Sequence, residues 1–290
     1  MDINKYKVTG KEGFDFAGFE TKVSSQWGTA DDLQTIINQN IKEKSKLQAK
    51  LYAEGKVGLL IIFQAMDAAG KDGAIKHVMS GINPQGINVH SFKQPSAEEL
   101  AHDYLWRAVK VLPERGKIAV FNRSYYEDVL IVKVHRLYEK MNLPDACKGA
   151  DIIENRYRQI RNFEDYLSEN GIVVVKFFLH MSKETQCKRF LQRIDKKDKN
   201  WKFSEADINE RRYWDDYQEA YKSAIEATAT KNNPWYVVPA DKKMYTRVIV
   251  SEVLLDVLKT INPQYPCISK EQEEALSGYR QRLTEKNKEQ

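Results

Sequence analysis

Apolar residues in this chain cluster into short blocks separated by helical-period stretches. Five blocks stand out: Leu59–Phe63, Ile87–Phe92, Lys117–Phe121, Ile172–Leu179 and Tyr236–Pro239. They are rich in Val, Ile and Phe and do not alternate with polar residues, as expected of strands buried on both faces of a parallel sheet. Between them lie helical segments at about 74–81, 97–111, 125–140, 151–169, 183–194 and 241–260. Such alternation predicts an α/β fold with helices on both faces of a five-stranded parallel sheet. Upstream, Leu33, Ile36, Ile37, Ile41, Leu47 and Leu51 recur near a 3.6-residue period, predicting one long helix from Ala30 to Glu54 that ends at Gly55. Ser96-x-x-Glu99 and Ser124-x-x-Glu127 read as capping boxes, and Ser182 as an N-cap.

The flanks differ. Residues 1–29 are polar with scattered aromatics (Phe14, Phe16, Phe19, Trp27) and read as an arm packed on the domain or on a second subunit. Residues 30–265 form the main domain, in which 195–221, densely charged and tyrosine-rich, is a helical excursion over the sheet edge. Residues 266–290 read as a polar tail with a mobile end.

Composition narrows the class. The chain has 290 residues, 42% of them hydrophobic, enough for one large α/β domain. Its three cysteines are not spaced for metal or redox work, which points to a reducing compartment and so to the cytoplasm. The N-terminus lacks a signal peptide, and no apolar run reaches the roughly 18 residues of a membrane span. The net charge of +5 fits a polyanionic partner without naming it.

The candidate chemistry starts after the first block, at Asp67-Ala68-Ala69-Gly70-Lys71-Asp72-Gly73. A strand, a small-residue loop with lysine and then a helix is an arrangement that cradles phosphate through backbone N–H groups, the helix dipole and the lysine charge. The sequence departs from G-x-x-x-x-G-K-S/T at two places, with Ala65 at the first glycine and Asp72 at the hydroxyl position. Ala65 is tolerable where φ stays negative. Asp72 either holds a metal or sits as an acid at the helix N-terminus; Asp67 is the next metal candidate. Arg123, at the end of the third block, points to the same crevice, beside Asn122 and Glu127. Arg189 and Arg193 share a helix face and form a candidate lid over about 183–221. Lys93, Trp106 and Arg107 follow the second block, where a small acceptor would bind. These are phosphate binders, and the five scattered histidines offer no nucleophile–base pair.

Together, Asp67–Gly73, Ser91-Phe92-Lys93-Gln94-Pro95, Phe121-Asn122-Arg123-Ser124-Tyr125-Tyr126 and the Arg189/Arg193 pair resemble the polyphosphate kinase 2 family over roughly residues 30–265. The resemblance implies a thymidylate-kinase-like, three-layer P-loop fold with a helical lid. It implies phosphoryl transfer between inorganic polyphosphate and AMP, ADP or ATP, using Mg²⁺ with Mn²⁺ as a substitute. It also implies a homodimer or homotetramer. Asp67, Lys71, Arg123, Arg189 and Arg193 then carry catalysis, and Ala68 to Gly73, Lys93 and Arg107 bind phosphate. Trp106, Asn122 and Glu127 hold the nucleotide, and Asp67 and Asp128 the metal. Asn122 departs from an aspartate common in the family, and Glu127-Asp128 resembles the subgroup acting on both nucleoside mono- and diphosphates. The rivals are an ATP-dependent nucleoside monophosphate kinase and a nucleic-acid-binding P-loop protein; neither nucleic acid nor membrane is the expected partner.

Overall fold

A computed structural model describes residues 1–10, 13–24 and 27–286. Its strands are β1 (Lys7–Val8), β2 (Gly58–Gln64), β3 (Ile87–Ser91), β4 (Ile118–Asn122), β5 (Ile172–His180) and β6 (Trp235–Pro239). They form one six-stranded sheet in the order β1-β6-β5-β2-β4-β3. The five strands expected from the apolar blocks are mutually parallel, and β2 lies at their centre. Every residue of β2 is buried, because both faces and both edges are covered.

The sixth strand corrects the sequence reading. Lys7 and Val8 pair antiparallel with Tyr236 and Trp235 on the free edge of β6. A two-residue strand carries too few side chains to announce itself in a pattern. Further along the arm, Phe16 stacks on His180 at 4.7 Å and lies 5.3 Å from Phe178.

The helices are α1 (Ala30–Glu54), α2 (Lys71–Val78), α3 (Ala97–Leu100), α4 (Trp106–Val109), α5 (Ile131–Val134), α6 (Ile152–Glu169), α7 (Lys183–Asp195), α8 (Glu205–Glu210), α9 (Trp214–Thr228), α10 (Lys243–Ile261) and α11 (Lys270–Lys286). Helices α1, α2 and α10 pack together, as do α5, α6 and α9, which gives the three-layer arrangement with the sheet in the middle. Two expected helices are broken. The stretch 97–111 becomes α3 and α4 with a turn between, and 125–140 becomes two 3₁₀ segments around α5. The tail beyond Pro266 contains α11; its last residues, 287–290, lie outside those described.

Helix α1 begins with a capping box between Thr29 and Asp32 and ends at Gly55 in the left-handed region, φ 63°. Its buried stripe is Leu33, Ile37, Asn40, Lys44, Gln48 and Leu51, so polar side chains occupy the middle of the face. Asn40 donates to Glu252 on α10 at 2.5 Å, and Lys44 donates to the Val78 carbonyl at the end of α2 at 2.7 Å. Those partners let a polar face be buried against α10 and α2. Ser96–Glu99 forms its capping box and Ser182 caps α7. Ser124–Glu127 does not. A 3₁₀ turn follows Ser124, whose hydroxyl takes the Tyr126 N–H, and Glu127 instead accepts from Gln64 at 3.1 Å.

Candidate active site

Because the five long strands run parallel, their carboxyl ends open on one side, and the segments leaving β2, β3, β4, β5 and β6 meet there. A cavity of about 650 Å³ lies between them. It is lined by residues 67–74 of the β2–α2 loop, Ser91–Lys93 after β3, and Asn122 and Arg123 of β4. Arg189, Gln192 and Arg193 of α7 line it too, with Lys199, Lys202 and Asp207 of the stretch that follows α7 and Lys243, Thr246 and Arg247 of α10.

The loop after β2 reaches its shape by two left-handed residues, Ala68 at φ 64° and Gly70 at φ 100°. Ala65, at the missing glycine, is not among the positive-φ residues, so its side chain costs nothing there. Its carbonyl instead accepts from the Lys71 ammonium at 2.8 Å. Lys71 is buried; that burial, and then Arg123 beside it, pull its pKa below the usual lysine range, against Asp67, Glu127 and Asp72. An arriving phosphate anion would oppose that shift and favour the charged form.

Arg123 also has a left-handed backbone, φ 62°, and its N–H extends the β2–β4 pairing by donating to Phe63 O at 3.0 Å. Its guanidinium donates to Asp67 at 2.6 Å. Burial works against the charge on Arg123, and Glu127 and Asp67 outweigh burial, holding its pKa above the usual arginine value. Asn122 donates to Asp72 at 2.7 Å. Asp72 is thus an acid in the first turn of α2, partnered by the residue that stands where the resemblance expects a carboxylate.

Arg189 is placed differently from a mobile lid residue. It is buried, and it donates to the carbonyls of Ala68 (2.9 Å), Ala69 (2.7 Å), Ala240 (2.6 Å) and Asp241 (3.2 Å). Gln186, one turn earlier, donates to Asp67 O at 3.1 Å. The root of α7 therefore grips the outer, carbonyl side of the phosphate loop. Arg193 lines the cavity and donates to Asp207 at 2.8 Å and to Lys202 O at 3.2 Å.

Four expected positions lie outside this cavity. Asp128 is buried against Arg156 at 3.6 Å, burial pushes its pKa up to about 6, and it does not line this cavity. The 3₁₀ turn after Ser124 aims it inward. Arg107 donates to Lys93 O at 2.9 Å and lies over the Phe92 ring, bracing the loop after β3 instead of lining the pocket. Trp106 stacks on His102 at 3.9 Å with Lys110 on its ring, so no face is free for a base. Glu127 contacts Gln64 and does not line the pocket.

Sequence reasoning missed Lys199, Lys202, Lys243, Thr246 and Arg247. Burial, then the cations Arg189, Lys199, Arg247 and Lys202, lower the Lys243 pKa, which reflects positive charge crowded without enough counter-charge. Lys243 opens the 19-residue α10, which has no side-chain cap and no acid in its first turn. The signal was available: Lys242 and Lys243 follow the last strand of a parallel sheet at its binding end.

Three carboxylates line the cavity, Asp67, Asp72 and Asp207, and each is already paired, with Arg123, Asn122 and Arg193. Among the described residues no three His, Cys, Asp or Glu form a metal cluster. That donor set fits Mg²⁺, which is commonly held by one or two carboxylates with the remaining ligands from substrate phosphate and water.

An anion cradle at the binding end of a parallel sheet, crowded by cations that follow four further strands, defines a P-loop phosphotransferase. The chain belongs to the polyphosphate kinase 2 family, whose family model, Polyphosphate kinase 2 (PPK2), matches residues 29–266. It is 48% identical over 285 residues to an ADP-polyphosphate phosphotransferase of Rhodopseudomonas palustris, covering 98% of this chain and 99% of that one. It is 41% identical over 268 residues to an AMP/ADP-polyphosphate phosphotransferase of Meiothermus ruber, covering 91% and 96%. The crystal structure of polyphosphate kinase 2 from Arthrobacter aurescens TC1 superposes with a TM-score of 0.85 at 40% identity, covering 94% of this chain and 95% of that one.

Proposed function

We propose that the protein transfers a phosphoryl group from inorganic polyphosphate to ADP and to AMP, forming ATP and ADP, in a reversible reaction. The observation that carries this reading is the excess of cations around the cavity: Lys71, Lys93, Arg123, Arg193, Lys199, Lys202, Lys243 and Arg247 face three carboxylates that are already paired. Two polyanions must meet for the reaction, and their repulsion is the main obstacle.

In the forward direction, an oxygen of the acceptor's terminal phosphate bonds to the terminal phosphorus of polyphosphate. The bridging P–O bond breaks, and its electron pair stays on the shortened polyphosphate. The acceptor oxygen is already ionised near neutral pH, so no general base is required of the protein. The backbone N–H groups at the start of α2 and the Lys71 ammonium hold the phosphate in transit. Arg123 neutralises its developing charge, with Asp67 fixing the guanidinium. Lys243 and Arg247 hold the donor side and Lys93 the acceptor side. Asp67 and Asp72 are the residues that would hold a divalent metal, taken here as Mg²⁺, which supplies charge neutralisation to the phosphates when bound.

Protein mixed with polyphosphate, Mg²⁺ and ADP or AMP is expected to form ATP or ADP, read by anion-exchange chromatography. An enzyme that ignores polyphosphate and needs ATP would be a nucleoside monophosphate kinase and would overturn the reading, as would salt-sensitive DNA or RNA binding without nucleotide synthesis. Lys71→Ala should lower kcat by about 10²- to 10³-fold, the scale for removing one preorganised donor from a transition-state anion.

The assignment of residues 30–265 as the catalytic unit, with the lid at about 183–221, an arm at 1–29 and a tail at 266–290, is part of the same proposal. A cytoplasmic location accords with three cysteines that are all free and exposed. Among the described residues no helix is long and apolar enough to cross a membrane. A homodimer or homotetramer is supported by exposed apolar positions on α11, Leu276, Tyr279 and Leu283, and a monomer in sedimentation velocity would refute it.

A further inference from the structure

Beside the cavity that holds the phosphate loop lies a second one of about 710 Å³, between the N-terminal arm, α7 and the start of α10. Arg189, Gln192 and Lys243 line both, so the two are adjoining basins that share a wall. The second basin brings three further cations, Lys22 from the arm, Lys188 from α7 and Lys242 ahead of α10. Its one lining carboxylate, Asp241, is occupied: it accepts from the Thr21 hydroxyl and the Ser182 N–H, each at 2.9 Å. Among the described residues no carboxylate lies within ion-pair distance of Lys22, Lys188 or Lys242. Lys242 lies over the Tyr245 ring, at 5.3 Å. Three exposed lysines drawn from three separate elements, facing a single carboxylate, fit an anion that passes between those elements.

We propose that this basin binds the distal part of the polyphosphate chain, so that the donor runs from the phosphate loop past Lys243 and Gln192 to Lys22, Lys188 and Lys242. The inference rests on polyphosphate being the donor. Placement gives it direction. Lys93 marks the acceptor end of the first cavity, on the β3 side, and Lys243 the opposite end, on the β6 side, where the second basin opens. A nucleotide ends at its base, whereas a linear polymer of phosphates continues with one charge per unit and needs repeated point cations that do not demand one geometry. Lysines suit this role better than arginine forks. The second basin then contributes to affinity for long donors only, since a short donor is used up within the first cavity.

The test compares inorganic tetraphosphate with a polyphosphate of many tens of phosphates as donors, at saturating ADP, in the wild type and in the triple variant Lys22→Ala, Lys188→Ala, Lys242→Ala. All three side chains are exposed, and an unchanged melting temperature confirms that the variant folds. The variant should raise KM for the long donor about tenfold, the summed effect of three screened contacts, while kcat and the tetraphosphate KM stay at wild-type values. The KM for the long donor should also rise more steeply with salt in the wild type than in the variant. Equal effects on both donors, no effect on either, or a raised KM for ADP would overturn the second basin. Absence of wild-type turnover with any polyphosphate would sink the donor reading itself, an outcome separate from these.

Discussion

Replacing Glu164 by Gln should destabilise the protein more than any change on its surface. Glu164 and Lys176 form an ion pair at 2.5 Å with both side chains essentially out of solvent. Burial pushes the Glu164 carboxyl up and the Lys176 ammonium down, and each partner's charge opposes that push. The carboxylate also accepts from the hydroxyls of Tyr125 (2.9 Å) and Tyr126 (2.8 Å), the residues that follow Arg123 and Ser124. Lys176 donates to Thr228 O at 2.9 Å and to the Tyr126 hydroxyl at 3.2 Å. Gln keeps the shape and removes the charge, leaving the ammonium in the core without a counterion. Breaking one side of a buried pair costs about 3–5 kcal/mol. At about 2–4 °C per kcal/mol for a chain of this order of size, the melting temperature should fall by roughly 6–20 °C, measured by differential scanning calorimetry. The double variant Glu164→Gln, Lys176→Met should regain most of the loss, because no charge then stays buried. A single variant melting within about 2 °C of the wild type would refute the reasoning, well below the fall expected for a stranded charge. So would a double variant no more stable than the single one.

Other expectations concern the loop grip and two buried ionisable groups. Arg189→Lys cannot reproduce the fork that reaches four carbonyls; kcat should fall at least about tenfold with about 1–3 kcal/mol of lost stability, and steady-state rates with urea midpoints at wild-type values would count against the grip. Burial pulls the Lys44 pKa down to about 7, so above that pH the folded state has shed a proton that the unfolded state keeps until about 10.4. Stability should therefore rise with pH across that window by at most about 1.4 kcal/mol per unit, and Lys44→Met should flatten the rise; parallel urea-midpoint curves would refute it. Asp128 holds its proton up to about 6, so its contribution falls as pH rises from about 4 to 6. Asp128→Asn should remove that fall and leave the Mg²⁺ dependence of turnover unchanged; a weaker metal dependence would return Asp128 to the metal site.

Much of the fold was legible because its strongest signals are local. Buried parallel strands are nearly uninterrupted apolar blocks, and β2 with the following loop is readable from Leu59 to Gly73. What escaped depends on partners far away in sequence. The burial of Lys44 is explained by the Val78 carbonyl, and β1 exists because Tyr236 and Trp235 offer an open edge. In the site, Lys71, Asp67 and Arg123 were legible as a strand-end constellation, and the cavity unites them. Arg189 looked like a phosphate ligand because composition shows only a guanidinium, whereas its acceptors are backbone carbonyls that no residue type reveals. The turn after Ser124 is 3₁₀ instead of α, and in it Glu127 meets Gln64 and Asp128 meets Arg156.

The grip of Arg189 also bears on synthesis. One side chain on α7 ties the loop at Ala68 and Ala69 to Ala240 and Asp241, bridging separations of more than a hundred residues on one side and about fifty on the other. Contacts so distant along the chain form late, after the loops they close have been ordered. A ribosome extending this polypeptide would thus release β2 and its loop long before that loop can take up its anion-holding shape. Competence arrives only when β6 and the first turn of α10 have emerged. Fragments truncated before Asp241 would carry the recognisable motif and yet lack a working cradle.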